Sequence, residues 1–265
     1  MEKSKLLDRC GAVGEDRLLL AKVLDKAAQA QNRNAPVVTD FLSPQQQLQA
    51  RELLAVAGVP ETAYQLLGGY EGAERCVLFF LPDWMEEENA ADQSPLRVLR
   101  AAFRKEEGLT HRDLLGSLMG MGIVREKVGD ILVAEESADL VVMEGVADFL
   151  LQSWNSAGRA KLTVCAVSPE YIHIPVARCR EIRDTVASLR LDTVVATGFQ
   201  MSRGKAADLI AAGRVQLNWK ECTKADRMVS QGDNVSARGF GKITLAEIGG
   251  LSRKGRTSIV IRRYL

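Results

Sequence analysis

The 265-residue chain has no apolar run near the roughly 20 residues that a membrane-spanning helix needs. Its start, Met1-Glu2-Lys3-Ser4-Lys5, leads into a charged helical pattern rather than the apolar core of a signal peptide. No membrane partner and a cytoplasmic location follow as expectations. Cysteine is sparse: Cys10, Cys76, Cys165, Cys179 and Cys222 are odd in number, and no two stand two residues apart. That argues against a disulfide framework and against a zinc knuckle, and leaves small apolar residues or free thiols. The two histidines, His111 and His173, lie 62 residues apart without a cluster of Cys, His or carboxylates around either. No Ser-His-Asp or Cys-His arrangement and no P-loop pattern appears. The expectation is therefore no catalytic residue, no metal and no cofactor.

What is present suits a folded protein of two or three domains, with 46% hydrophobic residues. A net charge of +1 hides an asymmetry. Residues 1–179 carry 19 Lys+Arg against 26 Asp+Glu, a net −7, and residues 180–265 carry 16 against 8, a net +8. Such a contrast points to a polyanion as partner of the basic end, the alternative being a solvated basic surface.

The pattern predicts an α+β chain in three parts. In 1–72, apolar residues at helical spacing indicate a helix from Glu15 to Gln31. Ser43-Pro44-Gln45-Gln46 carries a capping box and an N-terminal proline for a second helix, ending near Val56. A third, shorter helix is predicted from Glu61 to Leu67, stopped by Gly68-Gly69. In 73–178, Cys76–Leu81 reads as a strand. From Leu96 the order is β-α-β-β-α-β: Leu96–Phe103, a helix capped by Thr110, Asp130–Ala134, Asp139–Met143, a helix over Val146–Trp154, and Lys161–Val167. That is the order of a ferredoxin-like or RRM-like sandwich. Its inner strands Ile131–Val133 and Asp139–Met143 lack the aromatics that base stacking uses, so a scaffold or protein-contacting role suits this domain better. Pro169 and Pro175 mark a linker, and the third part is 179–265.

That third part holds the informative stretch. A short helical run follows Arg190-Leu191-Asp192. Ser202 then caps a second helix, in which Ala206, Leu209, Ile210 and Gly213 fall at i, i+3, i+4 and i+7, so one face packs inward. Arg203 and Lys205 border that stripe in the first turn. Arg214–Asn218 alternates as a strand, Gly232-Asp233 turns, and Val235–Lys242 resumes a strand. The tail 252–265 reads as a turn and a closing strand, Thr257–Tyr264, whose cations either widen a nucleic-acid footprint or keep an edge strand soluble. A helix N-terminus flanked by cations is a phosphate site in the making. Arg190, Arg203, Lys205, Arg214, Lys220, Lys224, Arg238 and Lys242 are the candidate RNA contacts, with Ser202 and Asn218 at the turns between them; contacts of this kind position RNA without reading its sequence.

On these residues the stretch resembles an S4-type (alpha-L) RNA-binding domain: Arg190-Leu191-Asp192, Ser202-Arg203, Leu209-Ile210, Gly213-Arg214-Val215, Asn218, Gly232-Asp233 and Arg238-Gly239. Members of that family bind folded RNA, often ribosomal or transfer RNA, through the two helices and the strands after them. The position following Asn218, commonly glycine in the family, is Trp219, which predicts a turn of different shape. Three further segments, Asp40–Gln46, Thr110–Gly116 and Gly120–Ile131, resemble the YlmH family of bacterial proteins. The resemblance implies a helical N-terminal part, an RRM-like middle and an S4-type end, and a ribosome-associated quality-control role at stalled large subunits carrying peptidyl-tRNA. It also suggests a link to cell division, because the family's gene commonly lies among division genes. Ribosomal RNA, tRNA and the large subunit are the implied partners, with protein contacts through the N-terminal and middle domains.

Two competing readings stand beside this one. Arg190-Leu191-Asp192 also resembles the catalytic segment of pseudouridine synthases, which would make the protein an RNA-modifying enzyme with an S4 targeting module. The chain departs from that pattern, with Val195 where a threonine belongs and Gly198 one residue late. The other alternative is an interaction protein of the division machinery. Gly116, Gly120 and Gly122 end a helix instead of opening one after a strand, so they form turns and not a dinucleotide loop. Arg125 and Lys127 in the same loop read as a solvated turn, with an RNA contact as the lesser alternative.

Overall fold

The computed structural model describes residues 3–10, 14–85, 93–175, 179–252 and 255–264. It divides into two compact units, Met1–Pro175 and Val176–Leu265.

In the first unit, α1 (Lys3–Arg9), α2 (Gly14–Arg33) and α3 (Pro44–Val56) share a core with a three-stranded antiparallel sheet of β1 (Val37–Val38), β2 (Tyr64–Leu67) and β3 (Val77–Phe80), in the order β1-β3-β2. α3 begins as its capping box dictates: the Ser43 hydroxyl accepts from the Gln46 amide, and the Gln46 side chain accepts from the Ser43 amide. The predicted helix 61–67 is not formed. One 3-10 turn, Glu61–Ala63, passes into β2, because Tyr64–Leu67 pairs with the wholly buried β3 and the Tyr64 ring packs on Phe80 with 6.1 Å between centroids. Tertiary pairing overrides local preference in so short a segment. β3, expected at the head of the middle domain, is the central strand of this N-terminal sheet.

The middle part follows the predicted order: β4 (Leu96–Ala102), α4 (His111–Gly120), β5 (Val128–Val133), β6 (Ser137–Met143), α5 (Glu144–Ser153), a small hairpin of β7 (Ser156–Ala157) and β8 (Ala160–Lys161), and β9 (Thr163–Val167). The sheet runs β5-β6-β4-β9, all antiparallel, with the first and third main strands central. One face carries Leu99, Leu140 and Val142 against Leu114, Leu118, Leu150 and Trp154. On the other, Leu96, Val141 and Met143 pack against Phe41 and Val77 from the N-terminal part. The sheet surface that a base-stacking RRM leaves open is thus partly covered here, which accounts for its aliphatic strands.

The joint between these parts uses two of the family-like segments. The Asp130 carboxylate accepts from the Tyr70 hydroxyl at 2.8 Å and from the Glu74 and Arg75 amides at 2.7 and 3.1 Å. Arg75 donates to the carbonyls of Val128 and Phe41, and Arg125 to those of Val128 and Gly129. Lys127 pairs with Asp40. Arg125 and Lys127 are therefore engaged and not simply solvated: Arg125 ties its loop to the start of β5, and Lys127 ties that loop to the N-terminal part.

The second unit is a six-stranded antiparallel sheet of β10 (Cys179–Val186), β11 (Val215–Leu217), β12 (Lys220–Glu221), β13 (Asn234–Ala237), β14 (Gly241–Leu251) and β15 (Thr257–Tyr264). Its order is β10-β15-β14-β13-β11-β12. α6 (Leu191–Phe199) and α7 (Arg203–Ala211) share one core with the inward residues Val215, Val235, Ile243, Leu245, Ile259 and Ile261. The single strand predicted over 235–242 is a hairpin, turning at Gly239 and Gly241, both at positive φ. β10 carries Arg180, Glu181, Arg183 and Asp184, a charged edge without apolar alternation, and so was not predicted. It pairs along β15, which makes the closing strand an interior one. Of the tail cations, Arg253 and Lys254 lie outside the described residues.

Candidate nucleic-acid interface

The site begins where α6 and α7 meet. Ser202 caps α7, its hydroxyl accepting from the Lys205 amide at 3.2 Å, so the helix opens with its first-turn N–H groups beside two cationic side chains. The apolar stripe Ala206, Leu209 and Ile210 is buried as its spacing predicts, which puts Arg203 and Lys205 at the exposed border.

Asp192 organises this corner. Its carboxylate is almost fully buried and accepts from Arg190 Nε and Nη2 at 3.3 and 3.1 Å, from Arg203 Nε and Nη2 at 3.1 and 3.0 Å, and from the Thr193 hydroxyl at 3.1 Å. Burial pushes this acid up, but the hydrogen bonds outweigh it and hold it below the usual carboxylate range. Arg190 and Arg203 are therefore not a free pair of clamps. Two guanidiniums share one carboxylate, leaving a net single positive charge, with side chains 38% and 57% exposed. The same pairing gives Asp192 a structural task in joining the two helices. Gly198 has one too: a Cβ there would lie 2.4 Å from Ile243 Cδ1, so its lack of a side chain lets α6 close on the sheet.

Sequence reasoning missed the aromatic half of the site. Lys205 Nζ lies 5.2 Å from the Phe240 ring, Phe240 is 6.1 Å from Phe199, and the Arg263 guanidinium is 5.5 Å from Phe199. The result is a ridge in which two cations stand over two rings, Phe240 half-buried and Phe199 in the core, so that the rings hold the cations at the surface and are not themselves presented there. The missing signal was strand register: Ile243 pairs with Arg263, which turns Arg263 to the helix side of the sheet.

The other predicted contacts separate. Arg214 lies beyond the far end of α7, its Nη2 donating to the Arg238 carbonyl at 3.1 Å, and both residues are exposed. Lys224 is exposed on the segment that docks α6, where the Leu191 and Asp192 amides donate to the Arg227 and Ala225 carbonyls. Asn218 is a turn residue: it donates to Asp233 and accepts from the Asn234 amide. Lys220 belongs to the hairpin after it, and Lys242 points to the opposite face of the sheet from Ile243. Trp219 does not change the turn, since Asn218 and Trp219 both take positive φ, 49° and 62°, as a two-residue hairpin with a glycine would. Among the described residues no group of three His, Cys, Asp or Glu side chains could hold a metal ion, and no helix is long and apolar enough to cross a membrane.

Two helices on an antiparallel sheet, with cations around the second helix's N-terminus, define an S4-domain RNA-binding protein. Family models agree: residues 189–235 match "S4 domain", 102–170 match "Putative RNA-binding domain in YlmH", and 15–83 match "YlmH, N-terminal". The chain is 32% identical over 249 residues, 94% of its length and 95% of the relative's, to "Ribosome-associated protein quality control protein P2" of Bacillus subtilis (strain 168). A solved structure, "Cell division protein ylmH from Streptococcus pneumoniae", aligns with a TM-score of 0.49 and 23% identity over 61% of this chain and 97% of that one. The chain belongs to the YlmH family.

Proposed function

We propose that this protein is a non-catalytic, cytoplasmic RNA-binding factor that docks on the ribosome in quality control, at large subunits stalled with peptidyl-tRNA. The observation that carries the reading is the ridge of Lys205, Phe240, Phe199 and Arg263 beside the Ser202-capped start of α7. The cations and the helix N-terminus deliver phosphate affinity, and the rings beneath hold the cations in place. The Bacillus subtilis relative, matched along nearly its whole length, carries a ribosome-associated quality-control name. The acidic N-terminal part stays off the RNA or meets protein.

The test is co-sedimentation with large subunits. Charge reversal at Arg203 would set a new carboxylate against buried Asp192, confounding binding with folding. Lys205→Glu with Arg263→Glu leaves those pairs in place. The double variant is expected to keep its thermal unfolding midpoint within a few degrees and to lose co-sedimentation. A folded double variant that sediments like the wild type removes this surface from the mechanism.

A further inference from the structure

On the face of the C-terminal sheet turned away from α6 and α7, the strands present polar residues in register: Gln216, Ser236 and Lys242 across one row, Asn234, Thr244 and Arg262 across the next. Two aromatic rings stand at this surface. Lys242 Nζ lies 5.8 Å from the Trp219 ring and 5.4 Å from the Tyr264 ring, and the Thr244 hydroxyl reaches both Asn234 and the Tyr264 hydroxyl, at 2.7 and 3.2 Å. The hairpin itself does not need an indole. Asn218 makes the hydrogen bonds that hold the turn, and the backbone at 219, with φ of 62°, is one that glycine adopts without strain. A large half-exposed ring held in a strained conformation is a reason to look for a ligand.

We propose that Trp219 and Tyr264, bridged by Lys242, form a second RNA contact that stacks an unpaired base, separate from the α7 ridge and resting on the RNA-binding reading above. Every base has a π-face, so a ring on an open sheet takes unpaired nucleotides with little regard to sequence. A phosphate of a nucleotide stacked on Trp219 meets the ammonium beside the ring, while Arg262 in the adjoining row is shared with Glu181 at 3.8 Å. The polar rows around the rings suit a nucleotide and not an apolar protein partner. A paired helix keeps its bases stacked inside and gains nothing from these rings, so this contact discriminates flanking single strand from duplex.

The full chain is tested against two labelled RNA hairpins, one blunt and one with an unpaired 3′ overhang, by fluorescence anisotropy. Trp219→Gly suits the turn and is expected to leave stability equal or higher. It is expected to weaken the overhang RNA roughly 5- to 100-fold, the range seen when stacked aromatics are truncated, with the blunt hairpin unchanged. In a Trp84→Phe, Trp154→Phe background, the remaining Trp219 emission is expected to be quenched by the overhang RNA alone. Equal affinities of Trp219→Gly and wild type for the overhang RNA, or equal weakening toward both hairpins, overturns the stacking contact while leaving the docking reading intact. A wild-type protein that binds neither RNA overturns both.

Discussion

At Asp192 two opposed effects meet in one side chain. Burial disfavours the carboxylate, the hydrogen bonds from Arg190, Arg203 and Thr193 favour it, and its pKa is lowered. A folded pKa below the unfolded value of about 3.9 contributes stability that is present above that value and lost as pH falls through the folded one. Asp192→Asn is expected to cost about 1–3 kcal/mol at neutral pH, since it removes a charged acceptor from two guanidiniums. It is also expected to flatten the loss of stability below about pH 4. Urea titrations across a pH series check both; an unchanged acid limb would show that other carboxylates set it. The sequence marked this corner through Ser202, Arg203 and Lys205, yet it did not show that Arg203 is already engaged by an acid eleven positions away, which it shares with Arg190.

Among the elements, the joint at β5 is the tightest fit. The first residues of β5 lie under the ring of Phe41, and a Cβ on Gly129 would come within 2.7 and 2.8 Å of that ring and 3.1 Å of the Val141 carbonyl. Phe41 is fully buried, with no room to retreat. Gly129→Ala is therefore expected to destabilise the first unit by about 1–3 kcal/mol through overpacking, read from chemical unfolding, while RNA affinity of the folded fraction is unchanged. Full stability in the alanine variant would mean that the joint is looser than its geometry. Capped helices were the most legible elements: the Ser43 and Thr110 capping boxes form as their sequences require. Short or uncapped strands were not, because β2 and β10 are defined by the partners they pair with.

Across the whole molecule, charge is partitioned with the fold: Met1–Pro175 holds 18 Lys+Arg against 26 Asp+Glu, and Val176–Leu265 holds 17 against 8. RNA affinity should accordingly fall with salt, in proportion to the phosphates contacted. The double variant Lys205→Glu, Arg263→Glu is expected to reduce the slope of log affinity against log salt by about two, one for each phosphate contact removed, as measured by anisotropy over a salt series. A lost affinity with an unaltered slope would mean that those residues act through packing.

The chain's own order of residues determined much of this protein: the helix starts, the βαββαβ succession, the basic end and the S4-type run around Ser202, because periodicity, caps and charge are local properties. Tertiary structure alone decided which cations are neutralised and which aromatics stand beside them. Asp192 reaches Arg203, and Arg263 reaches Phe199, only after strand register and helix packing bring distant segments together. Pairing across such separations depends on the assembled sheet, and no local pattern carries it.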